Sequence, residues 1–179
     1  MKQVAMISVL GAGLIGITGC GMLGTGVRVA KNMSHTDNVS VYVDGTAAKR
    51  DQFKQAATGY SRYNVSGQVS TSPSVRFEIG DPDKMGRVTS VIINIYQKFE
   101  ADYSHQADFT IVANSNDPAA QMRPGQTYNL GALPAGFRVL DISGSTVSGV
   151  SLDPGKQYLM NLTIRADKSE TAQVYFETN

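Results

Sequence analysis

Few side chains in this 179-residue sequence could carry out chemistry, and they lie far apart. Cys20 is the one cysteine, and His35 and His105 are the two histidines. A zinc site needs three or four histidine, cysteine or carboxylate ligands, which this set does not easily supply. One cysteine also cannot form an internal disulfide. We therefore expect no cofactor and no disulfide framework.

His105 has neighbours from which a hydrolytic site could be imagined. Ser104 precedes it, and Asp102 and Asp108 lie three residues to either side. Adjacent residues rarely aim their side chains at each other, and no strained nucleophile turn surrounds Ser104. We interpret His105 as a solvated loop residue, assign no catalytic residue and predict that the protein is not an enzyme.

Asp81 and Asp83 are the calcium candidates, in a short loop bounded by Gly80 and Gly86. An EF-hand would require a longer ladder of Asp and Asn residues at defined spacing. We interpret this segment as a simple turn, so the sequence predicts no metal site.

A G-x-G-x-x-G pattern at residues 11–16 follows an apolar run, and Asp44 ends a later strand-like run. Such a pattern can open a dinucleotide-binding fold. The helix that should follow, at residues 16–26, would contain five glycines, which oppose helix formation. No strand–helix alternation follows either, so we set this interpretation aside.

The N-terminal segment has the pattern of a secretory signal. Lys2 is followed by no charge until Arg28, and residues 4–17 are an apolar run of suitable length. The residues Ile17-Thr18-Gly19-Cys20 resemble the lipobox of bacterial lipoproteins. This resemblance implies cleavage after Gly19 and acylation of Cys20, which becomes the first residue of the mature protein.

Several acyl chains hold a soluble domain firmly on a membrane, whereas one chain anchors it only marginally. In this family an aspartate after the cysteine usually retains the protein at the inner membrane, and Gly21 stands there instead. The resemblance thus implies the bacterial cell envelope, at the periplasmic or outer face of the outer membrane.

A second interpretation keeps the apolar segment as an uncleaved membrane span. Residues 3–27 are uncharged and long enough to cross a bilayer. Small residues recur there at four-residue spacing, which lets two such helices pack closely. These residues are Ala12, Gly16, Cys20 and Gly24.

The remaining chain predicts one all-β domain with one short helix. The 16 basic and 15 acidic residues give a net charge of +1, so we expect no nucleic-acid partner. Alternating apolar residues predict strands, and residues 46–57, after a possible Thr46 cap, predict the helix. The strands are predicted at 39–43, 59–71, 75–79, 87–99, 109–113, 158–165 and 171–178.

Leu152, Pro154, Gly155 and Tyr158 form a Leu-x-Pro-Gly-x-x-Tyr run, and residues 122–128 repeat its apolar-x-Pro-Gly-x-x-Tyr pattern thirty residues earlier. The run resembles the tyrosine corner of fibronectin type III and related Greek-key sandwiches. In that family the Tyr hydroxyl bonds back to the backbone where the chain turns between sheets. The resemblance implies a β-sandwich and no particular activity.

The tyrosines at positions 60, 63, 96 and 103 allow two interpretations. They could form a partner surface, but they are equally typical of ordinary strands, and we prefer the second interpretation.

Together these patterns predict a signal peptide at residues 1–19, a lipidated cysteine and polar tether at 20–38, and an immunoglobulin or fibronectin type III-like Greek-key sandwich at 39–179. We expect a non-enzymatic envelope lipoprotein that binds other proteins as an assembly or accessory subunit of a surface or secretion complex. The alternative is a self-assembling structural subunit of a virion or extracellular filament that retains residues 4–27 as a membrane helix or assembly arm. A small envelope hydrolase would instead need a cleft with converging carboxylates.

Overall fold

The structure, a computed structural model, describes residues 38–51, 61–113 and 120–179. The predicted signal peptide, the lipobox with Gly19 and Cys20, the retained span and His35 lie outside the described residues.

Within those ranges the chain forms thirteen strands and one short helix. The early strands are β1 (Val39–Val43), β2 (Thr46–Ala47), β3 (Lys49–Arg50), β4 (Ser61–Val69) and β5 (Ser74–Ile79), followed by helix α1 (Pro82–Met85). The middle strands are β6 (Ser90–Phe99), β7 (Asp102–Tyr103), β8 (Phe109–Ala113), β9 (Tyr128–Asn129), β10 (Phe137–Asp141) and β11 (Thr146–Val147). The chain closes with β12 (Gln157–Arg165) and β13 (Glu170–Thr178).

These strands form two sheets. The small sheet has the order β2-β1-β5-β9, and the main sheet has the order β11-β10-β8-β6-β12-β13-β4-β3, with β7 paired to β6. Their pairings are antiparallel except that β4 runs parallel to β13. The chain passes repeatedly between the two sheets, as in Greek-key sandwiches. The predicted all-β sandwich is confirmed.

The core lies between the sheets and follows the alternation of the strands. In β12 every second side chain is buried, and the same holds for β13 and for the first half of β6. Alternate residues of a strand point to opposite faces, so one face of each strand joins the core. The fully buried side chains of β6 and β12 are Ile93, Ile95, Met160, Leu162 and Ile164.

The helix predicted at residues 46–57 is wrong over residues 46–51, where 46–47 form β2 and 49–50 form β3. Asp44 and Gly45, with φ of +46° and +75°, reverse the chain so that β2 pairs with β1. Two residues later β3 pairs with β4 in the other sheet. The pairing of this segment with strands of both sheets prevails over its local preference for a helix. Residues 52–57 lie outside the described residues.

The short helix α1 falls instead in the predicted loop at residues 80–86. The Asp81 side chain caps it by accepting a hydrogen bond from the Lys84 backbone nitrogen at 3.1 Å, and Pro82 occupies the first turn. Both features favour a helix start. No helix within the described residues is long and apolar enough to cross a membrane.

Candidate functional site

The structure brings Leu152, Pro154, Gly155 and Tyr158 together where the chain enters β12. The Asp153 backbone nitrogen donates a hydrogen bond to the Tyr158 hydroxyl at 2.9 Å. Leu152 and Tyr158 are buried, at 4% and 2% exposure, and Gly155 has a φ of +67° that favours glycine.

The repeat at residues 122–128 has the same geometry before β9. The Arg123 backbone nitrogen donates to the Tyr128 hydroxyl at 2.8 Å, and Gly125 has a φ of +79°. The Tyr128 hydroxyl also donates to the Gln126 side chain at 2.8 Å. Two tyrosine corners thus turn the chain, one entering each sheet. Both are structural elements.

The side of the main sheet that faces away from the small sheet carries a regular array of side chains. Strand register aligns three residues each from β6, β12 and β13 in three rows. We call these nine residues the outer face. Its rows are Ile92-Thr163-Thr171, Asn94-Asn161-Gln173 and Tyr96-Leu159-Tyr175.

The nine residues of the outer face include no charged side chain, and all nine are half-buried. On β4 the middle row continues to Arg62, which pairs with Gln173 and borders the face. The Thr110 hydroxyl donates to the Asn94 side-chain oxygen at 2.9 Å and extends the middle row onto β8. In the same row the Asn161 side-chain oxygen is buried and accepts no hydrogen bond. Among the described residues no second layer of strands or helices lies on this face.

A pocket of about 520 Å³ opens at one end of the outer face. We call it the distal pocket. A β-bulge shapes it, since residues 65–67 of β4 lie opposite the single Phe176 of β13 and Gly67 has a φ of +90°. Its lining combines amides, aromatic rings and one carboxylate: Asn64, Val65, Gly67, Gln68, Tyr103, Gln157, Tyr175, Phe176 and Glu177.

Two tyrosines form the aromatic part of the distal pocket. The rings of Tyr103 and Tyr175 meet edge to face, with centroids 5.7 Å apart. The Arg62 guanidinium carbon lies 5.8 Å from the Tyr175 ring centroid. Burial raises the pKa of the Tyr103 hydroxyl above its ordinary value, and Tyr175 adds to the shift.

The distal pocket lies at the opposite end of the sandwich from Asn38, where the described domain begins. Asn38 sits against the end of β5, because the Gly80 backbone nitrogen donates to its carbonyl oxygen at 2.8 Å. Near this end the Tyr63 hydroxyl donates to the Val39 carbonyl oxygen at 2.6 Å. From Tyr63, β4 continues along the pocket from Asn64 to Gln68, and Gln68 lies about 17 Å further along the strand.

The other candidates from the sequence do not form a site. His105 is exposed, while the Ser104 hydroxyl donates to the Gln106 carbonyl oxygen at 2.6 Å. The Asp81 carboxylate caps α1 and pairs with the Lys84 ammonium at 3.0 Å. Asp83 is exposed in α1. The described ranges contain no group of three or more His, Cys, Asp or Glu residues that could hold a metal ion.

Of the four tyrosines considered in the sequence, Tyr96 lies on the outer face and Tyr103 lines the distal pocket. Tyr63 is buried in the core, and Tyr60 lies outside the described residues. No sequence pattern identified Tyr175, Gln157 and Glu177 as site residues. Their outward position was readable from the alternation of β12 and β13, but their convergence depends on strand order.

The comparisons with known proteins add no family to this description. Searches of protein-family models, of curated proteins and of solved structures found no match to the chain.

Proposed function

We propose that the protein is a non-enzymatic, lipid-anchored subunit of the bacterial cell envelope whose outer face binds another protein. The observation that carries this proposal is the uncharged outer face, with Ile92, Tyr96, Leu159 and Tyr175 half-buried and no second described layer above them. The centres of protein interfaces are depleted of charged residues and enriched in tyrosine.

The lipid anchor of this proposal is Cys20 in the lipobox-like run Ile17-Thr18-Gly19-Cys20. A tether attached there would reach the domain at Asn38, at the end of the sandwich opposite the distal pocket. An anchored domain is concentrated at the membrane, which favours encounters with envelope partners. In the part of the chain that the structure describes, the outer face and the distal pocket would both remain accessible to such partners.

The experiment is site-specific photo-crosslinking with the full chain in its native membrane. A benzophenone amino acid replaces Leu159 on the outer face, and in a matched control it replaces Ser40, which is exposed on the small sheet. We expect one adduct of defined mass from position 159 that position 40 does not give. Adding Gln173→Lys to the labelled chain should abolish that adduct, because it places an unpaired charge inside the interface.

The crosslinking result separates the proposed function from its alternative. An adduct of two copies of the chain would support the structural subunit of a virion or filament. The absence of an adduct from position 159, or the same adducts from positions 159 and 40, would contradict the proposal.

A further inference from the structure

The lining of the distal pocket differs from that of the outer face. Three side-chain amides, those of Asn64, Gln68 and Gln157, share it with the Glu177 carboxylate. Each amide offers both donors and an acceptor, and a carboxylate accepts at both oxygens. Such a lining suits a ligand with many small groups that both donate and accept hydrogen bonds.

The charges at the distal pocket are few and of both signs. Glu177 is the one charged residue in its lining. The Lys98 ammonium lies at its border and donates to the Gln157 side-chain oxygen at 2.9 Å. Because this bond occupies the Gln157 oxygen, the amide nitrogen is left to donate to a ligand. The Arg62 guanidinium also lies beside the pocket, 5.8 Å from the Tyr175 ring centroid. One carboxylate in the lining and two cations beside it form no cluster of like charges that would select a charged ligand, so the lining favours a neutral one.

The rings of Tyr103 and Tyr175 complete the lining with an apolar surface beside these polar groups. The rings meet at an interplanar angle of 65°, and both residues belong to the pocket lining. An aromatic face packs well against C–H groups, while amides and carboxylates bind hydroxyls. A ligand with apolar C–H faces and hydroxyls around its edge matches both parts.

From this combination we infer that the distal pocket binds a neutral sugar residue. Vicinal hydroxyls of the sugar would bond to the side chains of Gln68, Gln157 and Glu177, and its C–H face would lie on Tyr103 or Tyr175. The pocket volume of about 520 Å³ falls within the range of about 300–1,000 Å³ typical of small-ligand sites. This inference goes beyond the proposed protein partner of the outer face.

The test uses the full chain in a detergent without a sugar headgroup. Three neutral disaccharides serve as probes: N,N′-diacetylchitobiose, maltose and lactose. Because the sequence contains no tryptophan, tyrosine fluorescence can follow each titration directly. We expect saturable binding of at least one disaccharide, weakened at least about tenfold by Tyr175→Ala and by Gln68→Ala.

Gln68 is exposed, so its replacement leaves the core intact and separates loss of binding from loss of folding. Tyr42→Ala on the small sheet is the matched control and should bind as the wild type does. The inference is overturned if none of the three probes binds saturably, or if both pocket variants bind as the wild type does.

Photo-crosslinking from position 68 distinguishes the two proposals. If positions 68 and 159 give the same protein adduct, the distal pocket is part of the protein interface and the sugar inference is wrong. If sugar binding fails while position 159 alone still gives its adduct, the proposed function stands and the sugar inference is overturned. Sugar binding without an adduct from position 159 would support the inference and contradict the proposed function.

Discussion

The Tyr158 hydroxyl oxygen lies 2.9 Å from the backbone nitrogen of Asp153, five residues earlier, and accepts its hydrogen bond. The same five-residue relationship joins Tyr128 to Arg123 at 2.8 Å. In each corner the tyrosine ring is buried. Its hydroxyl accepts a hydrogen bond from a backbone amide of the turn, which lies outside the strand pairing. A buried backbone N–H without an acceptor lowers the stability of the fold. Each tyrosine hydroxyl therefore stabilises its turn by accepting this hydrogen bond.

Removal of the Tyr158 hydroxyl should destabilise the domain without changing its fold. We expect Tyr158→Phe to lower the free energy of unfolding by about 1–2 kcal/mol, because the partly buried Asp153 amide loses its acceptor. Urea unfolding measures this loss. Tyr42→Phe is the control, since its hydroxyl bonds to Glu78 on the surface, and it should change stability by about 0.5 kcal/mol or less. Equal effects of the two substitutions would contradict this role.

The second corner should be at least as sensitive. The Tyr128 hydroxyl accepts from the Arg123 backbone nitrogen. It shares its own proton between the Gln126 side chain at 2.8 Å and the Gln121 carbonyl oxygen at 3.4 Å, so Tyr128→Phe removes three contacts. We expect a loss at least as large as that of Tyr158→Phe. The corners share no hydrogen-bond partner, so the losses should add in the double variant to within about 0.5 kcal/mol. A strongly non-additive double variant would show that the corners are coupled.

The segment after the Tyr128 corner and the segment before the Tyr158 corner touch through two glycines, Gly131 and Gly149. A Cβ at Gly149 would lie 2.1 Å from the Gly131 carbonyl oxygen, next to the Val150–Leu130 backbone hydrogen bond of 2.8 Å. We expect Gly149→Ala to cost about 2 kcal/mol or more in unfolding free energy, because backbone must move to admit the methyl group. Gly80→Ala should cost less, since its Cβ would come no closer than 3.3 Å to the Asn38 side chain. The reverse order would contradict this contact.

Asp44 should make stability depend on acidic pH. Partial burial would raise its pKa, but hydrogen bonds from the backbone and side chains of Ser74 and Ser70 outweigh burial, and the net pKa lies below the ordinary 3.8. Because the folded pKa is lowered, the carboxylate's contribution is complete above its unfolded pKa. It is lost as pH falls through the folded pKa.

The charge of Asp44 can be removed with little backbone strain by Asp44→Asn, since asparagine tolerates the φ of +46°. We expect this variant to be less stable than the wild type by about 1 kcal/mol near neutral pH, a value kept small because the side chain is largely exposed. The difference should shrink towards about pH 2 in urea unfolding. A difference independent of pH would show that the hydrogen bonds matter and the charge does not.

Local patterns in the sequence predicted the sandwich and the corner of β12 because both depend on near neighbours. Strand alternation identifies Tyr158 and Met160 as inward without knowledge of the partner strand. Pro154 and Gly155 set the turn by their own backbone preferences.

The segment at residues 46–50 could not be predicted in this way. Its helix propensity was local, whereas its structure depends on β1 and β4 as pairing partners in two different sheets. The distal pocket could not be predicted from local patterns either, because its lining residues Asn64 and Glu177 are 113 positions apart in the sequence. They meet only because β4 joins β13 in parallel.

The most direct test of the account is the intact mass of the protein purified from its native membrane, with mapping of its N-terminal peptide. We expect a chain that lacks residues 1–19 and carries acyl chains on Cys20. A chain that keeps Met1 and has an unmodified Cys20 thiol would contradict the lipoprotein proposal.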